Sequence, residues 1–306
     1  MCPRRVFFSQ IILRGIKMVQ VGFIGAGTVG TALAIGLNER GYKVVAVSSR
    51  SQASADKLAS EISGCQAGTY NQAVADAAEI IFITTPDGAI PVVASEVSWH
   101  SGQSVVHCSG ADSTDTLEEA RKAGAMVGAF HPLQTFASVK QAINNIPGST
   151  FAIEAEEPTL TTLKEMVTAL NGHSIELKAS DKVVYHAAAV IACNYLVTLV
   201  KLATDLWQTF DVPTDEATRA LMPLLQGTLN NIDKVGIPLC LTGPIARGDT
   251  GTINKHINAL EKASPDVLST YLELGRQTIP VALAKGRINE QQAQELEKIL
   301  KSLRKV

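Results

Sequence analysis

The sequence predicts a doubly wound, parallel α/β sheet followed by an all-helical domain. Three observations lead there. From residue 18 to about 156, short apolar runs alternate with amphipathic segments, as parallel strands joined by crossover helices do. A glycine-rich turn, Gly25-x-Gly27-x-x-Gly30, directly follows the first apolar run. Beyond residue 156, strand signals nearly cease and helix follows helix.

Residues 19–24 read as a short buried strand. The helix after the glycine turn carries Val29, Leu33 and Leu37 at fourfold spacing and stops at Gly41. Further strands are expected at 43–47, 80–84, 105–107, 124–130 and 151–153, with helices at 52–61 and 114–123. A helix over 158–170 and a strand-like 174–177 come next. Residues 181–210 are apolar on nearly every side; as one helix they would span ~45 Å and would need burial. Thr214-Asp215-Glu216 and Ser264-Pro265-Asp266 open two more helices by their capping chemistry. A last helix starts at Asn289. The expected division is 1–17 as a leader or extended start, 18–156 as the sheet domain, and 157–306 as the helical domain.

Composition narrows the function classes. Of 306 residues, 46% are hydrophobic and 18% charged, enough apolar material for packed cores. Lys and Arg number 27 against 29 Asp and Glu, so no basic excess exists to hold a nucleic-acid backbone. Apolar stretches are broken before ~18 residues, so no membrane span is expected. The five cysteines (Cys2, Cys65, Cys108, Cys193 and Cys240) are odd in number and form no CxxC pair. They suggest neither disulfides nor a metal site, and a reducing cytoplasm fits them. Cys108, Cys193 and Cys240 read as small buried hydrophobes. The leader carries Arg4, Arg5, Arg14 and Lys17 without an acid. It lacks the apolar core and cleavage site of a secretory signal, and Met18 offers a second start.

The glycine turn carries the first chemistry. Gly25 allows a tight turn, Gly27 lets a pyrophosphate approach the backbone, and Gly30 lets helix pack on strand. Ala26, Thr28 and Val29 complete a phosphate-binding loop whose amides lie at a positive helix end. At the end of the second strand, an acid would bind the ribose hydroxyls of NAD. The chain instead reads Ser48-Ser49-Arg50-Ser51. A guanidinium among hydroxyls suits a 2′-phosphate, so NADP(H) is the expected cofactor. The alternative is a solvated helix start capped by Ser51. Thr84-Thr85-Pro86 ends the next core strand at its carboxyl edge and should border the nicotinamide half. Ser109 and Gly110, after the following strand, could hold a substrate oxygen, with His107 as buried strand filling. His131 and Gln134 flank an apolar turn within 128–136; each reads as a substrate contact or as support of that turn.

Taken together, residues 25–30, His107-Cys108-Ser109-Gly110-Ala111, 128–136, Tyr185-His186-Ala187-Ala188-Ala189 and 241–249 resemble one family. It is the Rossmann-like proteins that carry the domain of unknown function 2520, members of which are described as NADP- or deazaflavin-dependent oxidoreductases. The resemblance covers about residues 18–304. It implies a Rossmann domain and a helical domain like the C-terminal domain of 6-phosphogluconate dehydrogenase. It also implies kinship with ketopantoate reductase, pyrroline-carboxylate reductase and the β-hydroxyacid dehydrogenases, usually dimers joined through helical domains.

In ketopantoate reductase the equivalent long helix bears a lysine acid, with asparagines four and eight residues later. Against that pattern His186 takes the lysine's place, Val190 replaces the first asparagine and Asn194 matches the second. Lys182, one turn earlier, competes as the acid. On a regular helix His186 and Asn194 differ by about 80° and share a broad face. The competing reading is a buried His–Asn pair without catalysis. Arg247, Asp249 and His256 follow a Gly-Pro turn. They read either as turn and cap or as an anion-receiving group that a dimer partner could supply. The expected function is NADPH-dependent reduction of a C=O or C=N group in a small anionic metabolite. Hydride exchange between NADP and a deazaflavin, and a non-catalytic NADP-binding sensor or scaffold, are the alternatives.

Overall fold

The structure is a computed structural model that describes residues 19–301; the leader expected at 1–17 lies outside the described residues. It divides into two compact units, one ending at Ala192 and the other starting at Cys193.

The first unit is an eight-stranded sheet in the order β3-β2-β1-β4-β5-β6-β7-β8. Its strands are β1 (Gln20–Ile24), β2 (Lys43–Ser48), β3 (Gln66–Gly68), β4 (Ile80–Ile83), β5 (Ser104–His107), β6 (Met126–Leu133), β7 (Thr150–Ala155) and β8 (His173–Glu176). Chain order reverses between β1 and β4, which opens a crevice beyond their carboxyl ends. β1 to β6 pair in parallel, but β7 runs antiparallel to β6, with Phe130 opposite Ile153. The sheet is therefore mixed at this side. The connection from β6 to β7 runs through α6 (Val139–Asn145) and returns the chain in the opposite direction beside β6.

Helices α1 (Thr28–Glu39), α2 (Gln52–Ser60), α3 (Asn71–Ala77), α4 (Ile90–Glu96), α5 (Glu118–Lys122) and α7 (Thr159–Ala169) complete the unit with α6. Two buried layers hold it. One contains Leu33, Leu37, Val106, Leu163 and Met166, and a row of rings crosses it. Phe23 stacks on Phe82 at 5.2 Å, Phe82 meets Phe130 edge-on at 5.6 Å, and Phe130 tilts against Phe151 at 4.8 Å. The other layer, with Ile81, Ile83, Val93, Trp99 and Val105, packs the opposite face. Strands buried on both faces explain why 80–83 reads as an uninterrupted apolar run.

The division expected after residue 156 falls inside this unit, because α7 and β8 still belong to the sheet. So does α8 (Lys182–Ala189). The single long helix expected over 181–210 is interrupted. A π-helical turn at Val190–Asn194 separates α8 from α9 (Tyr195–Gln208). The helical run Ala179–Gln208 is nonetheless 30 residues long and apolar enough, by length and composition, to cross a membrane. That corrects the expectation that no run reaches this length. None of its most apolar window is buried, and Val184 and Val197 are 73% and 71% exposed. Burial within the chain, expected for an all-round apolar helix, is therefore not what occurs. Lys182 in its first turn, by contrast, is only 2% exposed.

The second unit holds α9, α10 (Thr214–Val235), α11 (Thr250–Ala263), α12 (Pro265–Ala284) and α13 (Glu290–Lys301). Ile253, Ile257, Leu268, Leu272, Ile279, Leu296 and Leu300 form its core. The four described cysteines are unpaired. Cys193 is exposed, which corrects the buried reading there; Cys108 and Cys240 are half-buried, and Cys108 packs against the core of the first unit.

Candidate functional site

The glycine turn folds as its spacing requires. Gly25 adopts φ +117°, a conformation that side chains rarely take, and a Cβ there would lie 2.8 Å from the Thr84 carbonyl. A Cβ on Gly30 would collide with Thr84 Oγ1 and the Gly25 carbonyl. Beyond Gly27 there is nothing within 4 Å. Gly27 is also the N-cap of α1 and offers no side chain to the helix's first amides, which leaves these donors to a ligand. The Thr84 hydroxyl donates to the Gly25 carbonyl at 2.8 Å and pins the loop to β4.

A cleft of about 660 Å³ opens here. Gly25, Ala26, Gly27, Ser48, Ser49, Arg50, Ser51, Thr84, Thr85 and Pro86 all line it. Thr28, Val29 and Gly30 begin the helix behind it. The serines are partly committed. Ser48 donates to Asn71 Oδ1 at 2.8 Å, and Ser49 Oγ accepts the Ser51 amide at 3.3 Å. Ser51 Oγ caps α2 by accepting the Ser54 amide at 3.3 Å. Arg50 is exposed at the cleft. Thr85 Oγ1 is a buried hydroxyl without a hydrogen-bond partner among the described residues. An open glycine, free helix amides, a guanidinium and an orphaned hydroxyl along one cleft fit a phosphorylated dinucleotide.

A second cluster forms at the neighbouring carboxyl ends of β5 and β6. His107, fully buried, accepts the Ser109 amide on Nδ1 at 3.1 Å. Its proton therefore sits on Nε2, which donates to the Ser113 carbonyl at 3.1 Å. Burial first, then the Lys182 charge, push His107 down to about 4. It organises the turn, as the filling reading expects. The Ser109 hydroxyl donates to Asp112 Oδ2 at 3.0 Å, and its carbonyl accepts from Lys182 Nζ at 3.1 Å. Ser109 is thus engaged by the protein on both oxygens.

Gly110 lies against two imidazoles: a Cβ there would come 2.6 Å from His186 Cδ2 and 2.8 Å from His131 Nε2. The rings of His131 and His186 meet edge-on at 6.1 Å, and His131 Nδ1 lies 2.8 Å from the Tyr185 hydroxyl. Desolvation first, then the charges of Lys182 and His186, push His131 down to about 4. Burial pushes Tyr185 up to about 12. Burial also lowers Lys182 from the usual lysine range, against the pull of Glu154, Cys108, Asp112 and Asp87. Lys182, His186, His131, Gly110 and Ser109 thus come together in one unit. Gln134 serves its own turn instead: Nε2 donates to Ser149 Oγ at 3.2 Å and Oε1 accepts the Thr135 amide at 2.8 Å.

The remaining expected residues lie in the second unit. Asn194 is exposed at the end of the π turn, so the regular-helix angle that put it on the face of His186 does not apply. Asp249 caps α11, accepting the Thr252 amide at 3.0 Å and its hydroxyl at 2.7 Å. These bonds, above all the amide's, lower the Asp249 carboxyl. Arg247 reaches Asp249 at 3.8 Å, and His256 Nδ1 pairs with the Tyr271 hydroxyl at 2.9 Å. Asp249 thus caps the helix with Arg247 beside it, and His256 ties α11 to α12. Tyr185, Asp112 and Asn71 were not singled out by role in the sequence; only the adjacency of Tyr185 to His186 signals any of them.

By fold and site, the protein is of the class in which a Rossmann-like nucleotide fold precedes a helical domain. Residues 13–132 carry the Rossmann-like domain and residues 149–278 the domain of unknown function DUF2520, as the motif resemblance implied. A candidate NADP oxidoreductase from Bacteroides fragilis is 25% identical. The match covers 86% of this chain and 98% of that one, with a TM-score of 0.69. A reductive aminase from Aspergillus terreus, solved with NADPH and ethyl-5-oxohexanoate, is 16% identical over 94% and 93% of the chains, at TM-score 0.61. A pyrroline-5-carboxylate reductase from Coxiella burnetii is 18% identical over 92% and 100%, at TM-score 0.58. The last two share the fold. No curated protein matches the sequence.

Proposed function

We propose that this chain is an NADPH-dependent oxidoreductase that reduces the C=O or C=N group of a small, anionic metabolite in the cytoplasm. The observation that supports it most is the cluster of Lys182, His131, Tyr185 and His186 at the carboxyl edge of β5 and β6. It stands beside the strands whose ends form the dinucleotide cleft. The candidate NADP oxidoreductase of similar fold supports the same cofactor.

In this reading the amides after Gly27 hold the pyrophosphate, and Arg50 with Ser49 and Ser51 receives the 2′-phosphate. Thr85 and Pro86 border the nicotinamide end. The reduced cofactor, when bound, supplies the hydride. Lys182 biases the crevice toward an anion. His186, whose ring nitrogens have no hydrogen-bond partner among the described residues, is placed to give a proton to the substrate's oxygen or nitrogen. Gly110, lacking a Cβ, lets both imidazoles pack closely against this loop. Calorimetry with NADPH, then NADPH oxidation across a panel of 2-oxo acids and cyclic imines, tests the reading. Binding without oxidation of any member would favour a sensor, and absence of binding would end the proposal.

The same reading includes a homodimer through the helical region. Val183, Val184, Ile191 and Val197 are exposed on α8 to α9, as are Leu224 and Leu229 on α10. An apolar surface of this extent favours a protein partner. Light scattering at micromolar concentration should give about twice the chain mass; a monomer alone would refute the dimer.

A further inference from the structure

We propose that Tyr185 fixes His131 as a neutral imidazole with its proton on Nε2, and that this N–H receives the carbonyl oxygen of a 2-oxo carboxylate. The site then takes ketones in preference to iminium ions. The substrate half rests on the reductase reading above; the tautomer half does not.

The geometry begins with the 2.8 Å contact between the Tyr185 hydroxyl and His131 Nδ1. A phenol is a strong donor and an unprotonated imidazole nitrogen a strong acceptor, so the phenol proton goes to Nδ1. The nitrogen not engaged then carries the ring's single proton. Nε2 faces Gly110, where a Cβ would stand 2.8 Å away. It has no hydrogen-bond partner among the described residues and is not sealed from solvent, the one sealed and orphaned side-chain atom among them being Thr85 Oγ1. Gly110 packs closely against this edge of the ring, and the N–H, unpartnered but not sealed, stays open to a ligand. Burial and the nearby Lys182 keep the ring uncharged near neutral pH.

Charge then selects the substrate. Lys182 is buried, and its hydrogen bond goes to a carbonyl, not to a carboxylate. The acids that act on it keep their charges, but its hydrogen bond goes to none of them. Glu154 accepts the Thr114 amide at 3.1 Å and its hydroxyl at 2.8 Å. Asp112 accepts the Ser109 hydroxyl, and Asp87 is exposed. A neutral N–H donor suits an oxygen acceptor and meets the N–H of a protonated imine donor to donor, a preference to which the Lys182 ammonium adds.

The test uses the full chain labelled with nitrogen-15 and observes the imidazole nitrogens by NMR near neutral pH. His131 should show the Nε2–H pattern. In Tyr185→Phe it should move to a mixture of tautomers, while His107, which carries the same pattern through other bonds, stays unmoved and reports intact folding. Added oxamate, a carbonyl-bearing anion, should shift the His131 Nε2–H signals, and acetamidinium, a cationic C=N group, should not. A proton on Nδ1 in the unmutated chain, an unchanged tautomer in Tyr185→Phe, or a response to acetamidinium and none to oxamate would each overturn the proposal. If the NMR results hold and no 2-oxo acid or imine consumes NADPH, the reductase reading alone fails.

Discussion

His107 makes the fold acid-sensitive in a way that can be calculated. It is fully buried at the end of β5, and its two nitrogens serve the Ser109 amide and the Ser113 carbonyl. Protonation would place a donor on Nδ1, against the Ser109 N–H. The folded chain accordingly resists protonation down to about 4, whereas the unfolded chain takes up the proton near 6.5. Between those values the unfolded state binds more protons, so stability falls as pH falls. The contribution is fully present above 6.5 and lost on approach to 4. A drop from 6.5 to about 4 corresponds to about 3 kcal/mol. Of this, about 1 kcal/mol should be gone by about pH 5.5 and about 2.5 kcal/mol by about pH 4.5. Against a typical total of about 5–15 kcal/mol, that is a large share. Urea unfolding followed by circular dichroism across this range measures it. His107→Gln, which keeps a donor and an acceptor but cannot titrate, should flatten the slope by about this amount. An unaltered slope in the variant, or a His107 ring titrating near 6.5 in the native protein, would refute the reasoning.

Two glycines separate folding from binding. Gly30→Ala should lower stability by about 1–3 kcal/mol through its collision with Gly25 and Thr84. Gly27→Ala, with nothing within 4 Å, should unfold within about 1 kcal/mol of the parent yet bind NADPH at least about tenfold more weakly; thermal melts and calorimetry compare them. Arg50→Ala should narrow the preference for NADPH over NADH by about 1.5–3 kcal/mol, and equal affinities in the unmutated chain would defeat that assignment. His186→Ala should lower turnover by ~10²–10⁴ with NADPH affinity within a few-fold, while His131→Ala should raise KM more than it lowers kcat. If His186→Ala keeps full turnover and Lys182→Ala abolishes it, Lys182 is the acid.

The parts legible in the sequence are those fixed by local chemistry. Gly25 and Gly30 declare a backbone conformation and a close approach, and both hold in the fold. Ser51 and Asp249 declare caps, and both accept the expected amides. What was not legible depends on partners distant in the chain. The antiparallel turn of β7 is set by how β6 returns, which no run of apolar residues encodes. The π turn at 190–194 inserts an irregularity into an unbroken apolar pattern, so the helical arithmetic linking His186 to Asn194 had no warning of it. Tyr185 becomes significant only through His131, 54 residues earlier. Gln134 looked like a ligand residue because its neighbours are conspicuous, and its amide proved to be tied to Ser149.

Lys182 has a dual address. Its place in the chain lies within the stretch matched by DUF2520, yet its ammonium is held by a carbonyl of the loop that follows β5. A fragment cut after the last residue of the Rossmann match, or after 156, would keep the cleft and lose Lys182, Tyr185 and His186 together. The glycine cleft and the Lys182, Tyr185 and His186 cluster therefore do not separate along the boundary between the two family matches.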